Sequence, residues 1–212
     1  MAMNNPSFCS RKKRIHLLMD CKGSRILEME KDKLEHFMNG FAAATKLLNR
    51  AGQNGFLVEY VCLATSVIDA VLRIGIILKY QLKNKTDEVL DELLYMEDED
   101  KIVSEREVYR KAREQDIIDE ESFEHLNHLY KKRNRVVHRY IISNITTRKV
   151  LDIAIQYERL IPVVSKQIAT LEEQQLELGI GMTIAGSEVT KSQLDRMAAE
   201  KHDDNNLSIG LG

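Results

Sequence analysis

The sequence predicts an all-α protein, built as an up-and-down bundle of four to five helices. Its 212 residues include only two prolines, and no segment alternates apolar and polar residues for long enough to indicate a strand. Apolar residues instead recur at helical spacing in long stretches separated by short breaks, which is typical of a bundle. The length favours one domain with tails and suffices for a core without disulfides or metal.

Composition narrows the cellular setting and the classes of partner. The net charge of −2 predicts no polyanion partner by itself, so such a partner must be identified from local clusters of charge. The widely spaced Cys9, Cys21 and Cys62 favour a reducing cytoplasm over a disulfide framework or a zinc site. No secretory signal is visible, and charges interrupt the most apolar stretch, residues 56–82, so no membrane span is expected. We expect no metal and no cofactor.

Three regions follow one another along the chain. Residues 1–30 are basic and lack periodicity, so we expect a loosely ordered segment. The bundle is predicted over residues 31–178, and its second helix, about residues 56–83, is apolar nearly all round and therefore central. A polar strip on that helix contains Glu59, Ser66, Asp69 and Arg73. Residues 179–212 are expected to form a polar tail with one weak helix.

Breaks and caps delimit the other helices. The first helix runs over about residues 31–50 and ends at AGQNG, and residues 84–100 form an acidic connector with one short amphipathic turn. Ser104 opens a capping box, Asp119 caps the next helix, and Thr146 or Thr147 starts the last. The predicted bounds of these three helices are about 105–114, 120–143 and 147–178.

The fourth predicted helix carries KKRNRVVHRY, which places five Lys or Arg and one His within nine residues. Asn134 shares an arc of the helix with the apolar positions, and Arg133 and His138 lie on its two shoulders, about 140° apart. Since an unpaired Arg is costly to bury, this patch needs a partner. The apolar residues of that arc are Phe123, Leu126, Tyr130, Val137 and Ile141.

Two structural interpretations and one functional interpretation fit this patch. Carboxylates and hydroxyls of the second helix could bond Arg133 and His138 across the bundle as a buried network (Glu59, Asp69 and Ser66), or the basic run could be a solvated helix end. The functional interpretation is an anion site, because Arg presents a fork to phosphate oxygens and an imidazole exchanges protons near neutral pH. The outward-facing cations that would hold a polyanion backbone are Lys131, Lys132, Arg135 and Arg139.

These groups are the parts that RNA cleavage without metal requires: a base for the 2′-hydroxyl, an acid for the leaving oxygen and a cation for the charged phosphorane. One His and one Arg are too few for a complete site in one chain. A two-fold dimer that places two copies face to face would supply two of each. The chemistry therefore predicts a homodimer.

The segment also resembles a known family. Arg133, Asn134 and His138 resemble the R-N-x-x-x-H motif of the HEPN superfamily, and Tyr140 extends the likeness to the R-x4-H-x-Y form of HEPN toxins that are paired with nucleotidyltransferases. The likeness covers roughly residues 31–174. It implies a homodimeric helical bundle whose motifs line a basic cleft, and a metal-independent endoribonuclease that leaves a 2′,3′-cyclic phosphate.

The resemblance also implies roles for single residues. Arg133 would stabilise the phosphate, Asn134 would orient the motif and His138 would act as general acid or base. Tyr140 matches the residue that a partner nucleotidyltransferase modifies with AMP in some of these systems, and the added charge would block RNA. We therefore predict a ribonuclease in a toxin or defence system, with RNA as substrate and an antitoxin or nucleotidyltransferase as possible partner. The alternative is a catalytically inactive HEPN module that binds RNA, a nucleotide or a partner protein.

Overall fold

The chain is a bundle of helices, as the sequence predicts, with one small strand pair added. The computed structural model describes residues 16–18, 25–94, 103–183, 186–188 and 190–202, and within them it contains seven helices and two three-residue strands. The strands pair antiparallel, with Leu17 opposite Ser187. The elements are β1 (His16–Leu18), α1 (Arg25–Asn54), α2 (Leu57–Asn84), α3 (Asp91–Leu94), α4 (Glu105–Glu114), α5 (Glu120–Arg139), α6 (Thr147–Leu178), β2 (Gly186–Glu188) and α7 (Lys191–His202).

Helix α2 lies at the centre of the bundle and contacts α1, α3, α4, α5 and α6. It is long and apolar enough to span a bilayer, but 72% of its most apolar window is buried inside the protein. A Cβ at Gly75 would lie only 2.4 Å from Ile168 Cδ1, so this glycine lets α2 and α6 approach closely. The apolarity of α2 is thus accounted for by its central packing.

Side-chain bonds fix the relative directions of α2, α5 and α6. Thr65 donates to the Tyr157 hydroxyl at 3.0 Å, and Gln175 donates to Gln81 at 2.9 Å, so α2 and α6 run parallel. Helix α5 runs antiparallel to α6, because contacts join residue 119 to residue 167 and residue 132 to residue 156. The start of α2, the end of α5 and the start of α6 therefore lie at the same end of the bundle.

The predicted helix starts are confirmed by their caps. Ser104 accepts a hydrogen bond from the Glu107 amide at 3.3 Å, and Asp119 accepts one from the Ser122 amide at 2.8 Å. Thr146 accepts a bond from the Lys149 amide at 3.3 Å. Each short polar side chain satisfies an amide that has no partner within its helix, which is why these starts are recognisable in the sequence.

Helix α5 differs from its prediction at its end. It stops at Arg139, four residues before the predicted end, and Val137 and Ile141 are exposed instead of lying in the core. The apolar side chains of α5 that are buried beside Leu126 are Leu129 and Val136. The predicted arc assumed a helix that continued to residue 143, whereas the chain turns away after Arg139 and takes Ile141 out of the bundle.

Described helices extend beyond the predicted bundle on both sides. Helix α1 begins at Arg25, inside the segment predicted to be loosely ordered, and the weak helix predicted in the tail is α7. Helix α7 packs on α1: Asn39 donates to Glu200 at 3.1 Å, and Ala198 lies in a small cluster with Ala42 and Ala43. This long-range pairing has no signal in the local periodicity of either segment.

Glu172 on α6 provides a test of pH-dependent stability. Burial, and secondarily the charge of Glu173, raise the pKa of Glu172 to about 7, so ionisation destabilises the folded state progressively as the pH rises from about 4.5 to 7. We expect Glu172→Gln to raise the free energy of unfolding by about 1–2 kcal/mol at pH 8, after allowance for partial exposure, and by much less at pH 5. Urea denaturation at both pH values measures this, with the exposed Glu177→Gln as control, and equal effects at the two pH values would contradict it.

Candidate nucleic-acid interface

The end of α5, the start of α6 and the connection between them form a continuous basic segment, residues 131–149, which we call the basic turn. It contains seven Lys or Arg and no Asp or Glu. Several of its bonds leave the positive charge uncompensated because they go to neutral groups: Lys132 to Gln156 at 3.0 Å, Arg135 to Asn144 at 3.3 Å and Lys149 to the Asn144 carbonyl at 3.0 Å. Such a surface attracts a polyanion.

Two cations of the basic turn are paired with carboxylates: Arg148 at the surface, 3.7 Å from Asp152, and Arg133 inside the protein. Arg133 Nη2 donates to Glu105 on α4, and its Nη1 donates to Asn134 at 2.8 Å. The guanidinium also lies over the Tyr130 ring, 5.1 Å from the centroid. The side chains of Arg133 and Glu105 are only 19% and 15% exposed. A carboxylate of the same protomer therefore holds the arginine of the predicted motif.

Glu105 is itself anchored to the core. The hydroxyl of Tyr109, a fully buried side chain one turn further along α4, donates to the other carboxylate oxygen. Burial raises the pKa of Glu105, although the bond from Tyr109 and the charge of Arg133 act in the opposite direction. Tyr157 lies close by on α6, and burial raises its pKa to about 12. The ion pair between Glu105 and Arg133 thus lies at the edge of a buried polar cluster with side chains from α4, α5 and α6. Helix α2 joins this cluster through the bond from Thr65 to Tyr157.

The polar strip of α2 does not make the hydrogen bonds to Arg133 and His138 that the sequence suggested. Asp69 binds Arg73 at 2.6 Å, and Arg73 also donates to the carbonyls of Leu93 and Val103 at 3.1 and 2.9 Å. Asp69 remains near enough to Arg133 for the cation to lower its pKa, which burial raises overall. Glu59 and Ser66 are exposed. Within the described residues, the carboxylate that bonds Arg133 is Glu105 and not a residue of this strip.

His138 and Tyr140 lie on the open side of the basic turn. His138 is exposed at the last turn of α5, and no side chain in the described part of the chain makes a hydrogen bond or ion pair with it. Tyr140 is 43% exposed. Both side chains are therefore accessible to a ligand, whereas Arg133, about 140° from His138 around the same helix, faces α4. One protomer does not bring Arg133 and His138 together.

An apolar patch adjoins these residues. Ile141 and Ile142 are 95% and 81% exposed, and Val137 and Tyr140 are each about two-fifths exposed. Phe56 and Val58 at the start of α2 are also exposed, and they lie at the same end of the bundle. Consecutive exposed isoleucines are unusual on a protein surface unless a partner covers them.

Glu105 is the residue that the sequence interpretation missed. It directly follows the cap Ser104, and a Glu in the first turn of a helix is ordinarily explained by the helix dipole. The available signal was its spacing of four from Tyr109, which places both side chains on one face beside the buried Val108. For the same described part of the chain, no group of three or more His, Cys, Asp and Glu is placed to hold a metal ion.

The chain matches no protein-family model, no curated protein and no solved structure.

Proposed function

We propose that this chain binds single-stranded RNA on the basic turn and cleaves it as a metal-independent endoribonuclease of the HEPN type. The observation that carries the proposal is the exposed imidazole of His138 within a segment that has no Asp or Glu and has seven Lys or Arg, several of which bond neutral groups. Cations that are bonded to neutral partners keep their charge for phosphates, and the imidazole lies where a bound backbone would pass.

The proposed reaction needs one base and one acid. The base removes the proton of the ribose 2′-hydroxyl, and O2′ then attacks the adjacent phosphorus. The bond from phosphorus to O5′ breaks, and the acid protonates O5′, which leaves a 2′,3′-cyclic phosphate and a 5′-hydroxyl. His138 of one protomer and the partner subunit's His138 would take the two roles. Arg133, which lies apart from His138 within one protomer, would stabilise the added negative charge on the phosphorus oxygens across the dimer groove.

A second copy of the chain is the proposed occupant of the apolar patch. The patch adjoins His138, and each protomer supplies only one imidazole, so the site is incomplete until two patches meet. The cations beside the patch would repel each other in such a dimer, and an RNA strand held between them would offset that repulsion. Tyr140 at the rim would be accessible to a nucleotide-transferring partner, and AMP on its hydroxyl would place negative charge in the RNA path.

One contact favours the second candidate, an RNA-binding module without catalysis. Glu105 pairs with Arg133 inside the protomer, an ion pair that an arginine with a purely structural role would also make. Such a module would retain the cations of the basic turn, and it would bind RNA with strong salt dependence and leave it intact.

Incubation with a fluorescent single-stranded RNA in EDTA separates the two candidates. We expect cleavage of the RNA and no cleavage of DNA of the same sequence, because DNA lacks the 2′-hydroxyl nucleophile. Fluorescence anisotropy at several salt concentrations measures binding independently. Salt-dependent binding without any cut would favour the module, and absence of both binding and cleavage would contradict the proposal.

A further inference from the structure

The Arg133 guanidinium has a partner on three sides, and one of these partners, Glu105, is itself held by a further hydrogen bond. Glu105 accepts a hydrogen bond from Nη2, Asn134 accepts one from Nη1, and the Tyr130 ring lies beneath the guanidinium. Glu105 is anchored in turn by Tyr109, which has no exposed surface. The guanidinium is therefore held in one orientation in the absence of RNA.

The arrangement leaves Arg133 able to bind an anion. A guanidinium carries five N–H donors in a rigid fork, and the described bonds use one on Nη1 and one on Nη2. Each of these nitrogens has a second N–H, and the side chain keeps 19% of its surface exposed. A phosphate can therefore bond Arg133 while Glu105 remains in place.

We propose that Glu105 is the positioning residue for Arg133, and that it holds the guanidinium in the orientation that stabilises the reacting phosphate. This inference rests on the ribonuclease function proposed above. A charged carboxylate with two fixed oxygens orients a guanidinium more firmly than a neutral acceptor does. Stabilisation of a transition state depends on such preorganisation far more than ground-state binding does.

Glu105→Gln separates the positioning role from the effect of charge. The amide retains an acceptor but loses the charge-assisted bond, so kcat is expected to fall about tenfold or more. The same change removes a negative charge near the RNA, so KM is expected to stay constant or to fall about two- to fivefold. Partial misfolding would also lower the apparent kcat at constant KM, so the fraction of folded protein is measured on the same preparation.

Two further variants complete the test. Tyr109→Phe keeps the ring in the core and removes the hydroxyl that fixes Glu105, so it should lower kcat in the same direction and by less. Glu107→Gln makes the same charge change two residues along α4, where the carboxylate lies 3.8 Å from Lys111, and its kcat should equal that of the wild type. Circular dichroism and thermal melting verify that each protein is folded.

The outcomes distinguish this inference from the function on which it rests. A fall in kcat with constant or lower KM in both folded variants, Glu105→Gln and Tyr109→Phe, supports the positioning role. Unchanged kcat in either folded variant, with an active wild type, overturns the positioning role alone. A wild type that does not cut RNA overturns the proposed function and this inference with it.

Discussion

Replacement of His138 by alanine is expected to lower kcat/KM for RNA cleavage by about 10³-fold, with RNA binding nearly unchanged. Acid–base catalysis by one positioned group contributes roughly 10²–10⁴-fold, and a dimer of the variant lacks both imidazoles. The side chain is exposed and bonds no other described residue, so its removal should not alter the fold. Steady-state cleavage rates and RNA anisotropy on the same preparation measure the two effects.

His128→Ala is the matched control for this prediction. His128 is an exposed histidine on the same helix, ten residues earlier and before the basic turn begins. The control should cleave RNA at the wild-type rate. Cleavage at the wild-type rate by His138→Ala would show that the imidazole does not take part, and equal losses in both variants would point to a general effect on α5.

The double substitution of Ile141→Lys and Ile142→Lys is expected to convert a dimer into monomers and to lower the cleavage rate by at least about 10²-fold. The two side chains are almost fully exposed in the protomer, so charges there cost it little stability. In a dimer they would be buried, where an unpaired ammonium costs several kcal/mol. Sedimentation velocity and a cleavage assay on the same samples measure the two effects.

A double variant on α6 controls for added charge. Val163 and Leu178 are 46% and 64% exposed and lie outside the basic turn, so Val163→Lys with Leu178→Lys should remain dimeric and active. Two results would contradict the proposed interface. One is a wild type that is monomeric at all concentrations yet cleaves RNA, and the other is a dimer that survives in the isoleucine variant.

Local signals in the sequence predicted the helices well. The apolar periodicity of α2 and the caps Ser104, Asp119 and Thr146 depend on neighbours within a few residues, and the structure has a helix start at each of these caps. The end of α5 was placed too late because the apolar Val137 and Ile141 continued its pattern, although they are exposed. A local pattern cannot distinguish an apolar residue that packs in its own protomer from one left on the surface.

The candidate site was predictable to a smaller extent, for the same physical reason. The cations of the basic turn are adjacent in the chain, so their cluster is visible in the sequence. The ion pair of Arg133 joins residues 28 positions apart, and its carboxylate belongs to α4 and not to the polar strip on α2 that appeared to face it. Only the packing of α4 against α5 selects Glu105 from the many acidic residues of the chain.

Analysis of the cleavage products by mass spectrometry tests the central claim most directly. Wild-type protein, single-stranded RNA and EDTA are incubated together, and the ends of each fragment are identified. We predict a 2′,3′-cyclic phosphate on one fragment and a 5′-hydroxyl on the other, because O2′ is the nucleophile and O5′ the leaving atom. A 3′-hydroxyl with a 5′-phosphate, or RNA that remains intact while bound, would contradict His138-dependent cleavage on the basic turn.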